Sequence, residues 1–369
     1  MDLPVAVIGG GPVGSALGLL IPGAVVLDAR CYPRDKPCGE GLMPAGAAIL
    51  ESLGVRLEES GFPTIAGVCY RLPSGESARS DFKEGSGFGT RRLRLDALLA
   101  ARAGVRSGVR LEGMRPLTDG VELQTSAGPM AVGIVIGADG LRSTVSRLMG
   151  WSRSPSGVRR FGVVGHIATT GSVPDVEVSL LGEVETYLAP AGDGEALFAV
   201  LGPKGGLRDQ GATLAETYRR FLAAARPDLG DAPLIGPLTG AGPFNVRPRR
   251  VAAGRVFLVG DAAGFLDPLT GDAMTAGLQQ ARELARLLAE DPESAPLKYQ
   301  HFCDQQWGRR QRVTAIALHL SRSQTLSRRA VRGMRQRPEA LQRLLTVNQG
   351  LEGLGLLRPW DWAALLGMV

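Results

Sequence analysis

Three glycines lie at the spacing Gly9-x-Gly11-x-x-Gly14, directly after an apolar run and before a pattern typical of a helix. Gly9 permits a tight turn, Gly11 lets an anionic group approach the backbone, and Gly14 lets helix and strand pack closely. A helix that begins at Pro12 and Val13 would direct its free N–H groups and its dipole at a phosphate. The spacing therefore predicts that this turn binds the pyrophosphate of a dinucleotide.

An acidic residue is expected at the end of the next strand of such a unit, and Asp28 lies nineteen residues after Gly9. Its carboxylate could accept hydrogen bonds from both hydroxyls of a ribose. Ala29 and Arg30 follow it and are predicted to line the same site. A 2′-phosphate here would be repelled by Asp28, so the pattern favours FAD or NAD over NADP as the ligand at this position.

The elements that must position these groups alternate between strands and helices. Residues 4–8 and 24–27 are short apolar runs on either side of a helical pattern, and Leu93–Ala103 predicts another helix. Further short runs predict strands at residues 67–71, 108–111, 121–125, 134–136 and 256–259. A mixed α/β fold is the prediction.

The pattern changes between Phe161 and Gly202. Runs at residues 163–167, 176–181 and 196–201, with Gly-Asp-Gly at 192–194 as a hairpin turn, predict a separate antiparallel sheet. After a helix marked by Leu278 and Ala281, residues 296–369 are predicted to be mostly helical.

Length and composition exclude several classes of protein. At about 150 residues per domain, 369 residues predict about two domains, and 44% hydrophobic with 21% charged residues is typical of a globular chain. Four cysteines are too few for a disulfide scaffold, and the start of the chain lacks a positive signal-peptide region, so we expect a cytoplasmic protein. The uncharged stretch from Leu3 to Leu27 is interrupted by glycines and prolines, which argues against a membrane span. No Cys or His grouping has metal-ligand spacing, so no metal is predicted.

The net charge of +6 comes from the C-terminal region. Residues 301–369 contain eleven arginines and four acids, or +7, which leaves about −1 for the first 300 residues. Basic and aromatic residues do not interleave, so nucleic-acid binding is not predicted. The arginines from Arg309 to Arg343 are interpreted as solvated helix faces, or alternatively as a surface for an anionic membrane or an acidic carrier protein.

Three segments carry a resemblance. The stretch at residues 256–277 reads Val-Phe-Leu-Val-Gly-Asp-Ala-Ala-Gly-Phe-Leu-Asp-Pro-Leu-Thr-Gly-Asp-Ala-Met-Thr-Ala-Gly and resembles the second FAD fingerprint of the flavoprotein monooxygenases related to para-hydroxybenzoate hydroxylase. Residues 137–143, Gly-Ala-Asp-Gly-Leu-Arg-Ser, are similar to the Asp-Gly motif of that family. Arg92 matches an arginine that precedes a helix of the family and reaches the FAD.

This resemblance implies FAD as the cofactor and NAD(P)H as the electron donor. The residues that it adds to the predicted cofactor site are Arg92, Asp139, Gly260, Asp261, Gly271, Asp272, Ala273 and Met274. Asp261 would hold a ribityl hydroxyl, and the helix that starts near Gly271 would direct its N–H groups at the flavin.

A closer resemblance concerns the geranylgeranyl reductase branch of the superfamily. Lys36–Pro44, Lys-Pro-Cys-Gly-Glu-Gly-Leu-Met-Pro, resembles the loop that runs near the flavin ring in that branch, which adds Cys38 and Gly39 to the predicted site. Tyr187–Pro190, followed by Gly192 and Gly194, is similar to a substrate-sheet strand of the same branch.

The implied fold is α/β, with a glutathione-reductase-like FAD-binding Rossmann domain, an antiparallel substrate domain and a helical C-terminus. The expected boundaries are 1–61, 91–155 and 250–295 for a discontinuous FAD domain, 62–90 and 156–249 for the substrate domain, and 296–369 for the helical region.

Three ionisable residues are candidates for the chemistry. Glu40 is set between two glycines and would act as a general acid or base if buried near the flavin; the alternative is an exposed loop acid. Tyr187 either binds a substrate oxygen or packs in the sheet. His166 either faces the substrate pocket or is a structural histidine of its strand.

The function predicted from these patterns is an FAD-dependent, NAD(P)H-driven monooxygenase that hydroxylates an aromatic or lipid-like secondary-metabolite substrate. An ene-reductase or dehydrogenase of the geranylgeranyl reductase type is the first alternative. A flavin-binding accessory protein that modifies a partner polypeptide is the second.

Overall fold

The computed structural model describes residues 3–171, 173–207 and 213–368. Nineteen strands are described within these ranges, several of them only two residues long. They are β1 (Val5–Ile8), β2 (Val25–Asp28), β3 (Gly41–Leu42), β4 (Thr64–Ile65), β5 (Gly67–Arg71), β6 (Ser77–Asp81), β7 (Gly87–Gly89), β8 (Arg106–Ser107), β9 (Leu111–Pro116), β10 (Val121–Thr125), β11 (Gly128–Val132), β12 (Ile134–Gly137), β13 (Arg160–Ala168), β14 (Val176–Leu180), β15 (Glu185–Gly192), β16 (Glu195–Pro203), β17 (Leu234–Ala241), β18 (Ala252–Ala253) and β19 (Val256–Leu258).

Ten α-helices are described in the same ranges. They are α1 (Pro12–Leu20), α2 (Pro44–Ser52), α3 (Arg92–Arg102), α4 (Thr144–Leu148), α5 (Leu214–Ala225), α6 (Ala273–Glu290), α7 (Ala295–Ser321), α8 (Gln324–Gln336), α9 (Pro338–Asn348) and α10 (Pro359–Leu365).

A six-stranded sheet in the order β18-β19-β12-β1-β2-β8 carries the glycine-rich turn. Its strands are parallel except β18, and Val7 of β1 lies opposite Ile136 of β12 and Val26 of β2. The central strands are apolar on both faces, and their buried cluster includes Leu17 of α1, Leu284 of α6 and Leu123 of β10, so both faces are covered, as is typical of parallel sheets. The carboxyl ends of β1, β2, β12 and β19 therefore meet at one edge, where ligands bind in such folds.

A seven-stranded sheet in the order β17-β13-β16-β15-β14-β5-β6 forms the second layer, antiparallel except between β5 and β14. One face packs against α5 through Phe198, Tyr218 and Leu222. The other face carries Val164 and Tyr187. Between β15 and β16, Asp193 and Gly194 have φ of 54° and 74°, which a two-residue hairpin turn of the primed type requires.

The C-terminal helices α7 to α10 pack partly against that second face. Val313 of α7, Val331 of α8 and Leu341 of α9 share one buried cluster with Val178 and Tyr187 of the sheet. Across the described ranges, none of the helices combines the length and the apolar character that crossing a membrane demands.

Two small antiparallel sheets complete the fold. One is the meander β9-β10-β11, and the other joins β3, β7 and β4, so that β3 in the Lys36–Pro44 segment pairs with β7 through Gly41 and Gly89. This pairing fixes the segment that resembles the reductase branch against the rest of the molecule.

The predicted fold class is confirmed: an α/β Rossmann-type sheet, an antiparallel second sheet and a helical C-terminus. The strand predicted at residues 108–111 differs from the structure, because the chain turns between the end of β8 at Ser107 and the start of β9 at Leu111. Helix α5 was not predicted, although Thr213 and Glu216 form a capping box at its start, which is a readable signal. The domain boundaries remain a proposal, which the membership of strands in the two large sheets supports.

Candidate cofactor and active site

A cavity of about 410 Å³ joins the two large sheets. It begins at the glycine-rich turn, passes the Cys38–Gly41 loop and the Gly260–Met274 segment, and ends on the inner face of the seven-stranded sheet. Its volume is within the range of cofactor and small-molecule sites. All predicted cofactor residues lie in its wall except Gly14 and Asp272, which lie immediately behind it.

The glycine-rich turn has the shape that a phosphate group needs. A Cβ at Gly11 would point into the cavity with its nearest neighbour, the Arg92 guanidinium, 3.8 Å away. A Cβ at Gly14 would lie 1.8 Å from the carbonyl oxygen of Gly9, so the close contact of α1 with the turn depends on this glycine. Gly11 therefore leaves space for a ligand, whereas Gly14 leaves space for the fold.

Asp28 is held in a network of alternating charges at the same end of the cavity. Its Oδ2 accepts hydrogen bonds from the Gly10 N–H at 2.8 Å and from Arg34 at 2.7 Å, and lies 3.0 Å from the Tyr32 hydroxyl. Among the residues that the structure describes, its Oδ1 accepts only the Arg30 N–H, at 2.9 Å. Oδ2 thus has three protein partners, whereas Oδ1 has one and keeps room for a further donor, such as the ribose hydroxyl expected from the sequence.

Arg92 and Asp96 extend this network. The Arg92 guanidinium donates to both oxygens of Asp96, at 2.7 and 2.9 Å, one helical turn along α3. Arg34 lies 3.9 Å from Asp96 as well as pairing with Asp28, so the order of charges is Asp28, Arg34, Asp96, Arg92. Because the charges alternate, Arg92 is fixed facing Gly11 without an unpaired buried charge.

Asp139 contributes an unsatisfied acceptor to the cavity. Its Oδ2 accepts the N–H groups of Thr144 and Val145 at the start of α4, at 2.6 and 3.2 Å. Its Oδ1 is buried and has no hydrogen-bond partner in the described chain. Burial raises the pKa of this carboxyl, against hydrogen bonds from Ser143 and the backbone that lower it. A hydroxyl of a bound cofactor would satisfy Oδ1, which fits the predicted FAD.

The Gly260–Met274 segment is braced by buried side chains of α7. Arg310 pairs with Asp272 at the start of α6, with Nε 2.5 Å from Oδ2, and both side chains are at most 5% exposed. One turn earlier, Gln306 accepts a hydrogen bond from Gln280 at 2.6 Å, and Gln280 accepts the Gly260 N–H at 2.8 Å. The backbone that would face the flavin is thus positioned by the C-terminal region.

A second buried arginine holds the same segment from the opposite side. Arg160 of β13 donates to Asp267 at 2.8 Å and also pairs with Glu185 of β15. Burial raises the pKa of Glu185, although the Arg160 charge lowers it. The loop between Asp267 and Asp272 is therefore held by two ion pairs, one to an arginine of the antiparallel sheet and one to an arginine of the C-terminal helices.

Glu40 is buried, not exposed, and it joins three elements. Its Oε1 accepts the Arg92 N–H at the start of α3 at 2.8 Å, and its Oε2 lies 2.9 Å from Nε2 of His166. Its carbonyl oxygen accepts both the N–H and the hydroxyl of Thr90. Its φ of 60° is unusual for a residue with a side chain, and such strain is typical of functional sites.

The ring of Tyr187 packs directly on this loop. A Cβ at Gly41 would lie 2.2 Å from the Tyr187 hydroxyl, and one at Gly39 would lie 3.3 Å from its ring, so both glycines beside Glu40 are required by the tyrosine. Tyr187 lines the cavity, and no hydrogen bond of its hydroxyl is recorded within the described ranges. Burial raises the pKa of this phenol, with smaller contributions from Cys38 and Glu40, so it is protonated at neutral pH and able to donate.

The fold thus brings the three candidate residues for the chemistry together, but only two of the three line the cavity. Glu40 and Tyr187 line the cavity, while His166 lies behind Glu40 on β13. Cys38 lines the cavity too, and its sulfur accepts the Glu40 N–H at 3.4 Å. In the part of the chain that the structure describes, no group of three or more His, Cys, Asp or Glu could hold a metal ion.

The apolar lining of the cavity and the buried ion pairs behind its wall were not predicted from the sequence. Val164, Ala199, Leu201 and Phe244 line the cavity from the second sheet and the loop after it. The Arg92–Asp96 pair had a signal, because the two residues are four positions apart in a predicted helix. No sequence signal indicates the ion pairs of Arg34 and Arg310, because the tertiary fold decides which carboxylates they contact.

We expect Glu40→Gln to change turnover and its pH profile while FAD stays bound. Glutamine keeps the size of the side chain and one acceptor for the Arg92 N–H, but it does not ionise. The measurement is kcat against pH for both proteins, with Glu183→Gln, at an exposed acid before β15, as the control. Identical profiles for Glu40→Gln and the unaltered protein would remove Glu40 from the reaction.

Comparison with known proteins gives the following similarities. A family model described as "FAD binding domain" matches residues 130–296. Rifampicin monooxygenase of Streptomyces venezuelae is 29% identical over 312 residues, which are 78% of this chain and 64% of the relative. The chain thus spans just under two thirds of that relative's length.

Two reductases are also similar. Menaquinone reductase of Mycolicibacterium smegmatis is 28% identical over 321 residues, covering 77% of this chain and 76% of the relative. Digeranylgeranylglycerophospholipid reductase 2 of Methanopyrus kandleri is 26% identical over 350 residues, covering 84% of each chain.

Among solved structures, a flavoprotein/dehydrogenase from Cytophaga hutchinsonii superposes with a TM-score of 0.80 at 16% identity, covering 95% of this chain and 93% of that one. At this identity the likeness shows the shared fold.

Proposed function

We propose that the chain, which is similar to FAD-dependent flavoprotein monooxygenases, is an FAD-dependent oxidoreductase and, more narrowly, an NAD(P)H-driven monooxygenase of a hydrophobic, aromatic or lipid-like substrate. The observation that carries the proposal is the continuous cavity that runs from the glycine-rich turn to an apolar wall beside Tyr187. The similarity to a monooxygenase and to the reductases supports this class of chemistry.

The residues proposed to hold FAD are those at the two ends of the cavity. Gly11 and the start of α1 would hold the pyrophosphate, Asp28 Oδ1 a ribose hydroxyl, and Asp139 Oδ1 a further hydroxyl. The free N–H groups at the start of α6, held in place through Asp272, would face the flavin. When bound, FAD would take electrons from the donor and activate molecular oxygen.

The residues of the chain have three proposed tasks around the substrate. Val164, Ala199 and Leu201 exclude water from its apolar part. Tyr187 donates a hydrogen bond to a substrate oxygen, and Glu40, supported by His166, accepts or returns a proton.

NAD(P)H as the donor is part of the proposal. Lys36 lines the cavity at a partly exposed position, and its Nζ lies 3.6 Å from Asp261, so its ammonium group could contact a phosphate of the donor. We expect one of NADH and NADPH to bleach the flavin absorbance faster once substrate is present.

The proposed location is the cytoplasm. All four cysteines are free thiols, one of them exposed, which supports a reducing compartment.

The test of the proposed reaction follows oxygen. In a monooxygenation, substrate, O₂, NAD(P)H and one proton give hydroxylated product, water and NAD(P)⁺, so product made under ¹⁸O₂ gains one labelled atom. In the reductase alternative, NAD(P)H and a proton add two hydrogens across a double bond and oxygen is not needed. Product formation without oxygen and without label would replace the monooxygenase proposal by the reductase. Absence of turnover combined with capture of a modified polypeptide would favour an accessory role.

We expect Tyr187→Phe to raise the KM for a hydroxylated or carbonyl-bearing substrate about fivefold to tenfold, which corresponds to one hydrogen bond of about 1 kcal/mol. FAD content and thermal stability should not change, because no protein partner of this hydroxyl is recorded in the described ranges. Tyr218→Phe is the matched control: its hydroxyl lies 3.0 Å from the Phe198 carbonyl oxygen on the opposite face of the sheet, so stability should fall and KM should not move. Equal KM values for Tyr187→Phe and the unaltered protein would contradict the proposed contact.

A further inference from the structure

The outer face of α8 is composed of arginines. Arg328, Arg329, Arg332 and Arg335 are exposed, and because Arg332 lies four and three residues after the adjacent pair Arg328 and Arg329, and Arg335 three residues further on, all four lie on one side of the helix. The opposite side is buried in the C-terminal cluster. Arg322 and Arg337, just outside the two ends of the helix, are exposed as well.

These charges are not compensated by neighbouring acids. Within the described part of the chain, the one ion pair recorded for the six arginines joins Arg328 to Glu76 at 4.0 Å, with both groups partly solvated. Two of the four acids in residues 301–369 are paired with other arginines, namely Asp304 with Arg247 and Asp361 with Arg343. The surface therefore keeps a concentrated positive field.

Exposed apolar side chains lie on the helix that packs beside α8. Helix α10 contacts α8 so closely that a Cβ at Gly333 would lie 2.1 Å from the Ala364 carbonyl oxygen. Trp360 of α10 is 47% exposed, and Met368 just after it is 67% exposed. The Arg358 guanidinium lies 5.7 Å from the centre of the Trp360 ring.

We propose that the arginine face of α8, together with Trp360 and Met368, docks the protein on the surface of an anionic phospholipid membrane. Arginines attract anionic headgroups, and tryptophan partitions into the interface between headgroups and acyl chains. An acidic protein would use the charges but would not require the exposed tryptophan and methionine, so the combination favours a lipid surface. The inference goes beyond the proposed reaction, since it holds for hydroxylation and for reduction alike.

The test is co-sedimentation of the FAD-bound protein with vesicles. We expect binding to vesicles that contain phosphatidylglycerol, weak binding to pure phosphatidylcholine, and loss of binding as salt is raised. Replacing Arg328, Arg332 and Arg335 together by glutamine should weaken binding about 100-fold, because each basic residue at an anionic surface contributes about 1 kcal/mol. Trp360→Ala should weaken binding by a factor that salt does not change.

The matched control removes the same charge elsewhere. Arg102, Arg106 and Arg153 are exposed on other parts of the chain, and replacing them by glutamine should change vesicle binding less than about threefold, the long-range part of the charge effect. Thermal unfolding and the flavin spectrum establish that each variant is intact. Equal loss in both triple variants, or equal binding to both kinds of vesicle, would overturn the proposal. Salt-sensitive binding to an acidic carrier protein without vesicle binding would replace the membrane by that partner.

Discussion

Replacing Gly11 by alanine is expected to weaken FAD binding at least about 100-fold while the apoprotein remains folded. The added Cβ meets no protein atom closer than 3.8 Å, and the backbone at this position, with φ of −69°, suits alanine. The methyl group instead enters the space where a pyrophosphate would contact the N–H groups of α1. Losing two charge-assisted hydrogen bonds of about 1.5 kcal/mol each predicts at least a 100-fold loss of affinity. The measurement is FAD titration of apoprotein, followed by fluorescence.

Two other glycines separate this effect from a general loss of structure. Gly14→Ala would place its Cβ 1.8 Å from a backbone oxygen, so we expect it to destabilise the apoprotein by about 3 kcal/mol or more. Gly308→Ala, in the middle of α7 with open space around it, should leave FAD affinity unchanged and slightly raise stability. If Gly11→Ala binds FAD as the unaltered protein does, the pyrophosphate does not lie at this turn.

The parts of the site that could be predicted are those whose geometry is local. The spacing of Gly9, Gly11 and Gly14 is that of a strand–turn–helix contact, and Asp28 ends the neighbouring parallel strand. Residues this close in sequence belong to one local unit, so their spacing along the chain predicts their positions in space. Residues 256–277 could be predicted by resemblance for the same reason, because they form a strand, a turn and the start of α6.

The charged braces could not be predicted, because their partners are far apart in sequence. The arginines from Arg309 to Arg343 are expected from the sequence to be solvated faces or a docking surface, and for Arg310 this expectation is wrong. Arg310 is buried against Asp272, and Arg343 pairs with Asp361 at 2.7 Å. The sequence pattern around a helical arginine is the same whether its side chain faces water or a carboxylate of another element. Only the packing of α7 and α9 determines which of these two environments each arginine has.

The largest effect expected outside the glycine-rich turn comes from Arg310→Met. The substitution keeps most of the side-chain volume but leaves Asp272 buried without its partner, which should destabilise the protein by about 3–5 kcal/mol. It should also weaken FAD binding, because Asp272 precedes the first N–H groups of α6 at the cavity. Thermal unfolding of the apoprotein and FAD titration measure the two effects separately.

The neighbouring residue supplies the control, and a double substitution tests the mechanism. Arg309 is half-buried with no ion pair recorded in the described ranges, and burial lowers its pKa, so the protein does not stabilise its charge and Arg309→Met should cost less than about 1 kcal/mol. Adding Asp272→Asn to Arg310→Met removes the unpaired carboxylate while keeping an acceptor for the Thr270 hydroxyl, now 2.8 Å from Oδ1 of Asp272. We therefore expect the double variant to regain most of the lost stability and FAD affinity. A double variant as unstable as Arg310→Met would show that packing of α7, and not the charge pair, positions the segment that faces the flavin.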